Sequence, residues 1–179
     1  MDVVISRFPV STQPIVLVSG IPAVGKSTYG RWLYEAKGVL NIDLENEGLE
    51  RHGLADAWAI STSSAPASPD AFVQALRKLD CPVVVDWGYP MGWLPFVKAM
   101  HSVGVTAWWL DGDRAVARRR FVLRGTVSIQ APEVQMRGIN AADKELRDFY
   151  GDRWLDIVRA DGTSMDWDDV YTLMFGRSA

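Results

Sequence analysis

The sequence predicts an α/β fold in which a parallel β-sheet carries helices on both faces. Three observations lead there. Apolar runs at residues 14–19, 82–86 and 105–110 are too short for helices and suit strands buried on both sides. Stretches with helical spacing alternate with these runs, the order that builds βαβ units. Acidic residues, Asp43 and Asp86, end two of the strands, where open α/β sheets place their ligands. In order, residues 14–19 form the first strand and 27–34 an amphipathic helix. Residues 38–43 read as a second, short strand, and 44–54 as a helix. Residues 55–68 are rich in Ser, Ala and Pro and read as a loop. Ser68 is placed as the N-cap of a helix with Pro69 at its first position, ending near Leu79. A strand at 82–86 follows, then a helix at 91–103, a strand at 105–110 and a basic helix at 113–123. A helix within 132–150, a strand at 155–159 and a helix at 166–175 complete the pattern. The acidic group Asp166, Asp168 and Asp169 complements the dipole of that last helix.

With 179 residues and 48% apolar content the chain reads as one domain, spanning 1–179, with ample material for a core. A formal charge of -3 argues against a protein that grips duplex nucleic acid by bulk electrostatics. Cys81 is the only cysteine, so no disulfide framework exists and a cytoplasmic setting is the expectation. Asp2, Arg7 and Pro9 interrupt any signal-peptide core, and no apolar run reaches the length of a membrane span.

The most specific signal follows the first strand. Gly20-Ile21-Pro22-Ala23-Val24-Gly25-Lys26-Ser27 fits the pattern Gly-x-x-x-x-Gly-Lys-Ser/Thr, with Thr28 next. The glycines let the chain curl so that backbone N–H groups face inward, and the helix that follows adds its N-terminal partial charge. Gly20, Ala23, Val24, Gly25, Lys26, Ser27 and Thr28 are therefore the candidate nucleotide-binding residues. Lys26 reaches the β- and γ-phosphates, and the Ser27 hydroxyl is a ligand for Mg²⁺.

Asp86, at the end of its strand, emerges beside this loop and is the second candidate Mg²⁺ ligand. Asp43 ends the second strand, where a carboxylate can take the proton of an attacking hydroxyl. Arg120 and Arg124 stand four apart on the basic helix and share a face, suited to clamp a transferred phosphoryl group. Gly125 breaks that helix, and the polar stretch to Ala131 reads as part of a lid at about 118–137.

These residues together resemble the small P-loop kinases, the group of nucleoside-monophosphate, shikimate and gluconate kinases. The closest resemblance is to the polynucleotide-kinase-like, AAA-type ATP-binding branch. The match rests on the phosphate loop, Asp43, the run Val83-Val84-Val85-Asp86-Trp87-Gly88-Tyr89, and Arg120 with Arg124-Gly125-Thr126. It extends from Ile15 to Phe175 and implies a P-loop NTPase three-layer sandwich whose five parallel strands run 2-3-1-4-5. It also implies an ATP- and Mg²⁺-dependent kinase moving the γ-phosphate to a hydroxyl, with Lys26, Asp43, Arg120 and Arg124 as catalytic residues. The acceptor stays open between a nucleic-acid end, a nucleoside and a small metabolite, because residues 44–68 carry no acceptor signature. No membrane and no obligate protein partner is expected; the alternative is an NTPase switch acting through a protein partner.

Trp87, next to Asp86, is the tryptophan placed nearest an acceptor, whereas Trp108 and Trp109 belong in the core. His52 and His101 read as helix-surface residues, and Arg51 as either an acceptor anchor or a surface ion pair.

Overall fold

The computed structural model describes residues 13–125 and 130–176. Five strands, β1 (Ile15–Gly20), β2 (Leu40–Asp43), β3 (Val83–Asp86), β4 (Thr106–Gly112) and β5 (Trp154–Val158), form one sheet in the order β2-β3-β1-β4-β5. All four pairings are parallel. Every residue of β1 and β3 is buried, so the middle of the sheet is covered on both faces. The covering helices are α1 (Lys26–Lys37), α2 (Gly48–Arg51), α3 (Ala55–Ser63), α4 (Asp70–Arg77), α5 (Leu94–Ser102), α6 (Arg114–Arg124), α7 (Gln130–Ala141), α8 (Asp143–Tyr150) and α9 (Trp167–Phe175). This is the sheet order and layering expected for a P-loop kinase fold. Among the described residues, no helix is long and apolar enough to cross a membrane.

Sequence and structure part company in several places. Helix α4 begins at Asp70 with Pro69, not Ser68, as its N-cap. A 3-10 turn at Met91–Trp93 precedes α5, since the chain leaves Pro90 extended. Residues 55–68, expected as a loop, contain α3, because the indole of Trp58 has a site to fill. Its ring lies 5.0 Å from Phe72, 5.2 Å from Trp87 and 5.7 Å from Phe96, in edge-on contacts. Tertiary packing of one aromatic overrides the Ser-rich composition of the segment. The single helix expected at 44–54 shrinks to α2, since Asp43 captures the backbone beyond β2 in a turn. Residues 132–150 hold two helices, α7 and α8, with Ala142 between them.

Trp58→Ala is expected to destabilise the fold by about 3 kcal/mol, the low end for aromatic truncation, because the ring is partly exposed. A urea unfolding midpoint unchanged from the parent would show that α3 is not held by this ring.

Candidate active site

The loop between β1 and α1 is shaped by its contacts with β4 and α9. Gly20 sits at φ +151°, and a Cβ there would collide with the Leu110 carbonyl oxygen, so β4 can lie alongside only a glycine. The Ile21 amide donates to the same oxygen at 3.1 Å. Gly25 takes φ +116°, and a Cβ on it would meet the Trp167 ring at 3.3 Å. Ala23 adopts φ +58°, while Ala23 and Val24 are buried and tie the loop to the core. Gly25 is the N-cap of α1, and no side chain caps it. The first turn holds no acidic residue, so its N–H groups face a site suited to an anion.

Lys26 curls over this loop, its Nζ donating to the carbonyls of Gly20 and Ile21 at 3.3 Å each. Burial pushes its pKa below the ordinary lysine value, against the pull of Asp86 and Glu45. Ser27 and Thr28 open α1 and are exposed.

Asp86 closes β3, level with Val18 of β1 and Asp43 of β2. It is 2% exposed, and its Oδ2 has no hydrogen-bond partner. Burial raises its pKa from 3.8 to about 6, while the Lys26 charge and a hydrogen bond with Ser27 pull it down. A buried anionic oxygen left unpaired beside a serine hydroxyl fits Mg²⁺, a hard cation that takes oxygen ligands. Ser27 and Asp86 are the residues that would hold it.

Asp43 lies beside them but is engaged locally. Its Oδ1 accepts the Glu45 amide at 2.9 Å and its Oδ2 accepts Asn46 Nδ2 at 2.6 Å. Both oxygens thus secure the turn after β2, and that turn presents Glu45. Glu45 lines the cleft over the phosphate loop together with Lys26, Ser27, Arg124 and Gln135. Glu45 and Gln135 also line a neighbouring cavity of about 700 Å³. Glu45 escaped the sequence reading because it belongs to no motif; an acid two residues past a strand end was the available signal.

The two arginines go different ways. Arg124 reaches the phosphate-loop cleft. Arg120 instead donates to the Gly162 carbonyl at 2.7 Å and to Ser164 Oγ at 3.2 Å, tying α6 to the loop before α9. Of the expected lid, residues 126–129 lie outside the described residues. Trp87 lines the neighbouring cavity, and Arg51 and His52 line a surface groove with Asp43 and Arg31 that adjoins the phosphate-loop cleft at Ser27. His101 is half-buried, its Nδ1 2.9 Å from the Val105 carbonyl, with Arg153 against the ring.

No protein-family model and no curated protein matches this sequence. Solved structures do match in fold. The shikimate kinase from Acinetobacter baumannii in complex with shikimate is 17% identical, with 94% of this chain and 96% of that one covered and a TM-score of 0.55. TT1252 from Thermus thermophilus is 18% identical over 94% of this chain and 100% of its own, with a TM-score of 0.51. A gluconokinase from Sinorhizobium meliloti 1021 matches at 18% identity and a TM-score of 0.49, covering 91% and 90% of the two chains.

Proposed function

We propose that this protein is an ATP-dependent phosphotransferase that moves the γ-phosphate to a hydroxyl of a small molecule. One observation carries the reading: the cleft lined by Gly25, Lys26, Ser27 and Arg124 meets a second cavity at a wall shared by Glu45 and Gln135. A donor phosphate and an acceptor hydroxyl can therefore face each other across one carboxylate. The fold shared with a shikimate kinase supports the same class of reaction. A nucleic-acid end is disfavoured, because no Lys or Arg lines the second cavity among the described residues.

The α1 N-terminus and Lys26 hold the triphosphate, with the Lys26 ammonium released from the loop carbonyls to the phosphate oxygens. Mg²⁺ bound by Ser27 and Asp86 would neutralise charge on those oxygens. The acceptor oxygen attacks the γ-phosphorus, and the bond from that phosphorus to the β,γ-bridging oxygen breaks. ADP leaves with that electron pair, and the hydroxyl proton passes to a carboxylate. Glu45 takes this proton, whereas Asp43 holds the turn that aims Glu45. Arg124 balances charge on the transferred group. Arg120 acts at one remove, fixing α6 so that Arg124 points inward.

The test is a coupled assay in which ATP consumption must rise on addition of an acceptor, with equimolar phosphoester formed. Glu45→Gln is expected to lower kcat by about 10²- to 10⁴-fold at unchanged ATP affinity, the usual worth of a general base. Asp43→Asn should cost less in kcat and more in thermal stability. The opposite ranking would make Asp43 the base.

A further inference from the structure

The cavity beside the phosphate loop has a chemistry of its own. Its wall is formed by Trp87 and Gly88 after β3, Met91 before α5, and Val134, Gln135 and Gly138 on one face of α7. Glu45 contributes the only charge among the described lining residues. Gln135 is committed in part, since its Nε2 donates to the Gly88 carbonyl at 2.9 Å. Trp87 is packed against Trp58, Trp93 and Phe96, with ring centroids 5.2, 5.9 and 6.3 Å away. A Cβ on Gly138 would stand 3.4 Å from Met91 Cγ, in van der Waals contact, so a longer side chain there would extend past Met91. A glycine inside a helix costs stability relative to alanine, and here it keeps room in the cavity.

On the reading proposed above, we infer that the acceptor is an uncharged, largely apolar and aromatic alcohol whose hydroxyl is presented to Glu45. A carboxylated acceptor would enter an apolar wall without a counter-charge and meet Glu45, a like charge. An aryl alcohol buries its ring against Trp87 and Met91, and its hydroxyl finds Glu45 at the junction with the phosphate-loop cleft. The volume of about 700 Å³ lies within the range of sites for drug-sized ligands, so more than one ring fits.

The experiment uses an isosteric pair, 4-nitrobenzyl alcohol and 4-(hydroxymethyl)benzoate, with shikimate and gluconate as further anionic probes. Each is titrated calorimetrically into the full chain saturated with Mg²⁺ and a non-hydrolysable ATP analogue. The expected result is at least tenfold tighter binding of the neutral alcohol than of any carboxylate. Equal or reversed affinities, or no binding of the alcohol at millimolar concentration, would overturn the inference. Two variants on the cavity-lining face of α7 sharpen it. Val134→Arg should narrow or invert the preference within the pair, and Gly138→Leu should weaken the alcohol at least tenfold. Both should leave the affinity for the ATP analogue unchanged; a preference unmoved by Val134→Arg would mean that the alcohol binds elsewhere. Transfer is read separately by ³¹P resonance. An alcohol that binds as expected but never receives phosphate defeats the kinase reading while leaving the character of the cavity intact.

Discussion

Lys26→Ala is expected to lower kcat/KM for ATP by about a thousandfold. Lys26 and Arg124 are the two cations that line the phosphate-loop cleft among the described residues, and Lys26 is held against the carbonyls of the loop itself. In a poorly solvated cleft, one fixed donor to a developing phosphoryl charge contributes about 3–4 kcal/mol. Lys26→Arg should recover little of this, because a planar guanidinium cannot follow the path of a flexible ammonium between two carbonyls. The same change has a second consequence. The Lys26 charge holds down the pKa of Asp86, so its removal lets burial drive that carboxyl further toward its neutral form. Steady-state kinetics with titration of a fluorescent ATP analogue measure the first effect, and the pH dependence of thermal unfolding measures the second. Turnover of Lys26→Ala at the parent rate would remove the basis for phosphate binding by this loop.

Asp86→Asn is expected to abolish most activity and yet to make the ligand-free protein more stable. Burial raises the pKa of Asp86 from 3.8 to about 6, so the folded state holds a proton that the unfolded chain has lost. Between those two values the folded form binds more protons than the unfolded one, and stability therefore falls as pH rises. Below pH 3.8 both states are protonated and Asp86 costs nothing; above about pH 6 the whole difference is felt. That difference corresponds to about 3 kcal/mol. An amide removes the ionised form, so the gain of Asp86→Asn over the parent should be near zero at pH 4 and grow to its full value by pH 7. Thermal unfolding in a chelating buffer across this range is the measurement. A stability difference that does not change with pH would mean that Asp86 is not held ionised against its environment. The neutral amide is also a poorer partner for a hard cation, so the Mg²⁺ needed for half-maximal activity should rise.

Much of the frame was legible because its signals are local. Alternating apolar runs marked the strands, and the glycine spacing around Lys26 marked the turn, so the expected sheet order 2-3-1-4-5 is the one observed. Asp86 is drawn to the loop by register alone, since β3 lies next to β1. What stayed hidden depends on contacts far apart in the chain. Helix α3 exists because Trp58 meets Phe72, Trp87 and Phe96, none of which is its neighbour in sequence. The separate fates of Arg120 and Arg124 were equally out of reach. Their spacing assigns one face of a helix, but only the fold places the loop around Gly162 beneath Arg120. The role proposed for Glu45 was equally hidden, because the engagement of Asp43 with the turn becomes visible only when its hydrogen-bond partners are known.

The contact of Trp167 with Gly25 also bears on the order in which the protein matures. The indole lies against the glycine that begins α1, and its ring centroid is 5.1 Å from that of Tyr29 one turn further on. Residues near position 25 leave a ribosome long before residue 167, so the phosphate loop emerges without its support. Until α9 docks, that loop lacks the wall behind Gly25, and a nascent chain should bind triphosphate poorly. Nucleotide capture would then mark the arrival of α9, and ATP would favour finished molecules over partly made ones during synthesis.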